Sequence, residues 1–242
     1  MDLEFYCRGA SEADKAEIEA TTVSAFGKER VHNFQRGMDY RFGLTTFEDN
    51  RVIVAKTLGG EQIVGSCPIV RYSCHFGSET MISGGIWMFG IRNEYKRKGL
   101  GQKLLEDCNT YLLNQGFDIN LLFTGSPSFY RHKGYELGQL KPRYSLTVSP
   151  DLFQKVEKYL DQGFQITFSP IQQSDIEKIA AIYEVFNRMH VLTRVRDSVY
   201  WNHCYQFQAT NFERQIFTLR HAGKIIGYVW THFGKAGISI VE

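Results

Sequence analysis

The fold of this chain turns on the stretch Met88-Phe-Gly-Ile-Arg-Asn-Glu-Tyr-Lys-Arg-Lys-Gly-Leu-Gly-Gln-Lys-Leu-Leu105. Its first residues end an apolar run, Met81–Ile91, that predicts a buried strand. Its last residues begin the pattern Leu100, Leu104, Leu105, Cys108, Leu112 and Leu113, which predicts a helix over 99–114. Between them stand three consecutive cations, Lys96, Arg97 and Lys98, and two glycines, Gly99 and Gly101. A loop that feeds straight into a helix leaves the first N–H groups without carbonyl partners. Those donors and the positive end of the helix dipole make an anion site. The glycines let the backbone approach a bulky phosphate, and the cations add charge in the same place. The spacing is not that of a P-loop, and only G-x-G of the dinucleotide fingerprint is present. A basic turn that merely caps a helix accounts for the same residues.

Downstream, Ile119–Thr124 predicts a buried strand, and Phe129–Lys133 a short helix within Phe129-Tyr-Arg-His-Lys-Gly-Tyr135. A tyrosine so placed can bring its hydroxyl to the ends of the central strands. With an ordinary pKa of about 10 it is a proton donor at neutral pH. A donor there suits a leaving group that departs as an anion, such as a thiolate. Tyr130 and Tyr135 also read as core aromatics with one wet edge.

Upstream, residues 2–8 predict a strand. Ser11, three residues before Asp14, opens an amphipathic helix to Phe26. A second, irregular helix is expected over 28–40. Strands follow at 51–57 and at 63–76, the latter with a bend near Pro68. Beyond Tyr135, strands are expected at 135–139 and 143–148. The net charge of +2, from 28 Lys and Arg against 26 Asp and Glu, argues against a nucleic-acid binder. No run is long enough for a membrane span, and Met-Asp-Leu-Glu-Phe lacks the basic and apolar regions of a signal peptide. The five cysteines are scattered, with no C-x-x-C pair, which points to free thiols in a reducing cytoplasm.

Residues 11–139, with both motifs at this spacing, resemble a GCN5-related N-acetyltransferase (GNAT) domain. Lys96-Arg-Lys-Gly-Leu-Gly101 is similar to the family's pyrophosphate loop, with Lys96 where the family carries Arg or Gln. Phe89-Gly-Ile91 matches the family's fourth strand, and Tyr130-x-x-x-Gly-Tyr135 its Tyr-x-x-x-Gly-Phe/Tyr signature. The resemblance implies an α/β (α+β) acyl-CoA N-acyltransferase fold, with a mixed, mostly antiparallel central sheet flanked by helices. It implies acetyl-CoA as cosubstrate, held by Phe89, Gly90, Ile91, Lys96, Arg97, Lys98, Gly99, Leu100, Gly101 and Gln102. It also implies that Tyr130 protonates the departing thiolate, and it calls for no metal. The activity implied is direct acetyl transfer to a primary amine on a small molecule or peptide. Two alternatives are a coenzyme A-binding module without catalysis and an acyl-CoA enzyme that loads a carrier-protein thiol. Candidate bases are Glu29, His32 and His75.

The second half restarts the same element order: a strand at 165–171, a helix capped by Ser174, a helix at 197–205, strands at 213–220 and 224–231, and another from Gly237. This resembles the tandem acetyltransferases of the enhanced-intracellular-survival type, of which the chain reads as a short or truncated example. The expected division is a catalytic domain at 1–148, a linker helix at 149–164, and an incomplete second GNAT-like domain at 165–242. Tyr183, Tyr200, Trp201, Tyr205 and Trp230 are candidates for an acceptor pocket or for core packing. An unpaired final strand would favour a homo-oligomer.

Overall fold

Val52-Ile-Val-Ala55 is apolar at every position, so a strand built from it must be covered on both faces. In the computed structural model all four side chains are fully buried. The structure describes residues 3–28, 49–138, 151, 154, 157, 166–210, 214–234 and 237–240. The chain divides into two compact units, Met1–Glu136 with His190–Val195, and Leu137–Met189 with Arg196–Glu242.

The first unit is built on strands β1 (Glu4–Gly9), β2 (Asn50–Thr57), β3 (Gly60–Phe76), β4 (Glu79–Ile86), β5 (Gly90–Ile91) and β6 (Ile119–Leu122). Their order is β1-β2-β3-β4-β6, with β5 paired to β3. Every pairing is antiparallel except β4 with β6. Helix α1 (Lys15–Phe26) covers one face, where Ile18 packs with Val52, Val54 and Ile63. Helix α2 (Leu100–Asn114) covers the other, burying Leu100, Leu104, Leu105, Cys108 and Leu112 against Ile53, Ala55, Cys67 and Ile69. Each fully buried leucine there contributes about 1.5–3 kcal/mol by leaving water. This mixed, mostly antiparallel sheet between helices is the expected fold class.

Several elements differ from their sequence-based expectation. The irregularity in the β2–β3 ladder lies at Val64, opposite the Ile53/Val54 step, rather than near Pro68. There β3 carries one extra residue, and Pro68 is the last residue paired with β2. The single strand expected over 81–91 is two strands, because Trp87, Met88 and Phe89 leave the ladder. Residues 135–138 form no strand. Of the helix expected over 28–40, all but residue 28 lies outside the described residues, as does the strand at 143–148. Of the expected linker helix, residues 151, 154 and 157 are described, and they are helical.

Where β2 has left, the open edge of β3 is taken by residues from far along the chain. His75 N–H donates to Thr193 O, Leu192 N–H to His75 O and Val195 N–H to Ser73 O, each at 2.8 Å. Arg194 pairs with Cys74 across this edge, and its guanidinium lies 5.0 Å from the Tyr72 ring centroid.

In the second unit the sheet order is β10 (Gly237–Ile240), β9 (Lys224–Gly234), β8 (Arg214–His221), β7 (Ile166–Pro170), all antiparallel. Helices α4 (Ile176–Asn187) and α5 (Ser198–Thr210) build its core from Ile176, Ile179, Tyr183, Trp201 and Cys204 with Ile171 and Ile216. The cap of α4 is Asp175, which closes a 3₁₀ turn boxed with Gln172, rather than Ser174. Tyr183 and Trp201 are core residues, with Tyr200, Tyr205 and Trp230 packed against them. Packing, rather than a pocket, is the role the structure assigns these aromatics.

Candidate functional site

The site begins where the first sheet splits. β4 pairs with β3 as far as Ile86 opposite Ile69, and pairing resumes at Gly90 opposite Ser66. Two residues of β3, Cys67 and Pro68, thus face three of the other chain, which is a bulge. Met88 takes a positive φ of 48° within it, and Trp87 N–H still reaches Pro68 O at 3.0 Å. On the other side, the parallel pairing of β4 with β6 ends at Leu122 opposite Ile86. Beyond that point no described residue pairs β5 with β6, which leaves a slot in the ladder between them. Met88 and Phe89 therefore stand outside both ladders, at the mouth of the slot.

The segment after β5 is tied down on α1. Arg92 Nε donates to Thr21 Oγ1 and Asn93 N–H to Ser24 Oγ, each at 3.0 Å. Tyr95 then donates to Gln62 Oε1 at 3.0 Å. Lys96, Arg97, Lys98 and Gly99 are exposed, with the Lys98 ammonium 5.2 Å from the Tyr95 ring centroid. Arg97 and Gly99 both adopt left-handed backbone, with φ of 63° and 74°. Such alternation turns successive N–H groups toward one side. Gly99 caps α2, and the first bond onto the cap residue comes from Lys103 N–H at 3.1 Å. The N–H groups of Leu100, Gly101 and Gln102 precede it and have no carbonyl one turn back. A Cβ at Gly99 would meet no atom within 4 Å. Open space, helix-end donors and three exposed cations fit the pyrophosphate of an acyl-coenzyme A.

Gly101 also has a packing role beside the one its motif suggests. A Cβ there would stand 3.3 Å from the Phe129 ring and 3.8 Å from Ile91. Its smallness lets α3 (Pro127–Arg131) close on α2 and β5. Ile91 and Leu100 are buried, so their side chains serve the core and only their backbones can meet a ligand. Gly90 is buried, Phe89 and Gly101 are half-buried, and Gln102 is exposed.

Tyr130, on α3, stands in an aromatic cluster. Its ring centroid lies 5.0 Å from Phe129, 5.6 Å from Tyr135 and 6.2 Å from Phe89, each edge to face. Burial, chiefly, pushes its hydroxyl up to about 12, with Cys67 and Cys108 adding to the shift. The hydroxyl makes no hydrogen bond among the described residues, so it remains a donor for a ligand. The motif signalled Phe129 and Tyr130, but the partners of Tyr135, Asn109 and Asn120, lie on α2 and β6 and carry no local signal.

Of the candidate bases, Glu29 and His32 lie outside the described residues. His75 is buried and sits six residues along β3 from Ile69. At strand rise this is about 20 Å from the split, too far to serve a reaction there.

A family model described as an acetyltransferase (GNAT) domain matches residues 7–138, more than half of the chain. Several solved structures match nearly the whole chain. A GCN5-related N-acetyltransferase from Anabaena variabilis is 15% identical over 98% of this chain and 57% of its own, with a TM-score of 0.67. One from Kribbella flavida is 12% identical over 99% and 57%, with a TM-score of 0.69. Eis1 from Mycobacterium abscessus is 15% identical over 98% and 57%, with a TM-score of 0.56. At these identities the likeness is one of fold, and the chain spans little more than half the length of these structures. No curated protein matches the sequence. No described helix is long and apolar enough to cross a membrane. With its split sheet, its cationic helix cap and the family match over residues 7–138, the chain belongs to the GNAT acetyltransferase family.

Proposed function

We propose that this protein is an acetyl-CoA-dependent N-acetyltransferase that moves an acetyl group directly onto a primary amine of a small molecule or peptide. The observation that carries this reading is the juxtaposition at the sheet split. A bulge outside both ladders, a cationic helix N-terminus and a tyrosine hydroxyl that makes no hydrogen bond among the described residues all lie next to this break in the sheet. Bound acetyl-CoA supplies the acetyl thioester. The exposed N–H groups of α2, with Lys96, Arg97 and Lys98, hold its pyrophosphate. The backbone N–H at Phe89 stabilises negative charge on the carbonyl oxygen. As the amine nitrogen bonds the carbonyl carbon and the C–S bond breaks, Tyr130 donates its proton to the departing sulfur and water takes the proton that the amine loses; burial keeps the hydroxyl in the donor form. The five free cysteines fit a reducing compartment such as the cytoplasm.

The repeated order β7, capping box, α4, β8, β9 supports a tandem reading. Gln172 with Asp175 reproduces the box of Ser11 with Asp14, and each leads through a short 3₁₀ turn into a 12-residue helix.

Calorimetric titration with acetyl-CoA tests the proposal, comparing the wild type with Gly99→Glu and Gly99→Ala. The two variants share one backbone demand, and only the glutamate puts a carboxylate in the phosphate space. Micromolar binding lost in Gly99→Glu and kept in Gly99→Ala is expected. Absence of wild-type binding would overturn the reading. A panel of primary amines, followed by release of free thiol, then identifies an acceptor.

A further inference from the structure

Three rings set the direction of the Tyr130 hydroxyl: Phe89, Phe129 and Tyr135. Phe89 and Phe129 have no polar handle, so packing alone holds them. Tyr135 differs. Its ring meets Tyr130 at 71°, and its hydroxyl donates to Asn109 Oδ1 at 2.7 Å. The same oxygen lies 3.5 Å from Asn120 Nδ2. One amide oxygen thus links the turn after α3, helix α2 and strand β6. Two of these elements border the slot: α2 supplies the helix N-terminus, and β6 is the strand that parts from β5.

A phenylalanine at position 135 would supply the same apolar ring to the cluster. What the hydroxyl adds is fixation. A ring pinned at its far end can neither slide along Tyr130 nor turn away from it. It also excludes water from that side, which helps to keep the half-buried Tyr130 hydroxyl in its neutral form.

We propose that Tyr135 is the positioning residue for Tyr130: its link to Asn109 and Asn120 holds the Tyr130 ring so that the hydroxyl is presented at the mouth of the split sheet. This rests on the reading of Tyr130 as the proton donor. Tyr135 acts through Tyr130 and need not touch either substrate.

The test uses the full chain as Tyr135→Phe, Asn109→Ala, the double variant, Asn109→Asp and Tyr130→Phe. Tyr135→Phe keeps the ring, so an unchanged circular dichroism spectrum is expected. The first readout needs no turnover: the ring carbons of labelled tyrosine are followed by NMR against pH, the Tyr130 signal being assigned by its loss in Tyr130→Phe. Tyr135→Phe and Asn109→Ala should each lower the Tyr130 titration midpoint by about one pH unit. The second readout is thiol release with acetyl-CoA and the fastest amine of the panel. Both variants should lower kcat about three- to tenfold with little change in KM for acetyl-CoA. Because they break one link, the double variant should be no slower than the worse single variant. Asn109→Asp keeps an acceptor for Tyr135 and should restore kcat to within about twofold of the wild type. An unmoved Tyr130 signal in Tyr135→Phe, or fully additive losses in the double variant, would overturn the proposal. If Tyr130→Phe turned over at the wild-type rate while Tyr135→Phe still moved the Tyr130 signal, the link would stand and the donor role would fall.

Discussion

The ring of Tyr130 stands 6.2 Å from that of Phe89, edge to face at 68°. This contact places Tyr130, the proposed proton donor, beside the bulge that interrupts the strand. Removing the hydroxyl alone should therefore spare binding and slow the chemistry. Tyr130→Phe is expected to lower kcat about 10²-fold while the Kd for acetyl-CoA stays within about twofold. In the proposed reaction the protonated hydroxyl is the working form, and burial, chiefly, lifts its pKa to about 12. Its ionisation should thus cause no fall in kcat below roughly pH 11. A thiol-release assay against pH checks both statements.

The two glycines of the loop should fail in different ways. Gly99 has a φ of 74° with open space at its Cβ position, so Gly99→Ala should cost about 1 kcal/mol of stability through backbone strain. Gly101→Val instead drives a branched side chain into the Phe129 ring, which a Cβ alone would meet at 3.3 Å. It should displace α3 and cost about 1–3 kcal/mol. Urea unfolding measures the stability losses, and kcat should fall more in Gly101→Val.

Arg8 grips both carboxylate oxygens of Asp14, at 2.7 and 2.9 Å, and Asp14 also accepts the Ser11 N–H at 2.7 Å. The Arg8 hydrogen bond chiefly holds the Asp14 carboxyl well below its usual range. A depressed folded-state pKa means that the stabilisation is present above the ordinary value of about 3.9 and is lost as pH falls through the folded one. Asp14→Ala should cost about 1–2 kcal/mol at pH 7. The gap to the wild type should narrow below about pH 4, as followed by unfolding at several pH values.

Val195 N–H reaches Ser73 O across the edge of β3. Val195→Pro removes that donor and should cost about 1 kcal/mol or more. Hydrogen exchange at His75, whose N–H bonds Thr193 O, should then quicken relative to Val54 deep in β2. Unchanged protection at His75 would show that residues 190–195 hold the edge without this bond.

Cys67, Cys74, Cys108 and Cys204 are buried, while Cys7 is half-buried. Burial, chiefly, raises the Cys7 thiol to about 11 and Cys108 well above the ordinary range. The thiolate is the reactive form, so the native protein should resist a disulfide reagent at pH 7. Cys7 should be the first to react on raising the pH, and all five should titrate after unfolding.

What could be read from the residues alone was local. The helix start at Gly99 follows from a glycine before a periodic apolar run, and its charge from three adjacent cations. The box of Ser11 with Asp14 is also a local signal, formed between residues three positions apart. The two motifs carried the family because their chemistry sits in contiguous stretches. The strand break at Trp87–Phe89 had no such signal, since Met81–Ile91 is rich in apolar residues on both sides of it. Only the register against β3 and the early end of β6 make three residues face two. The second role of Gly101 depends on Phe129, the anchor of Tyr135 on Asn109 and Asn120, and the edge of β3 on residues more than a hundred positions away. Those partners meet only when helix and sheet pack, so side chains distant in sequence decide how the aromatic cluster of Tyr130 sits against the split sheet.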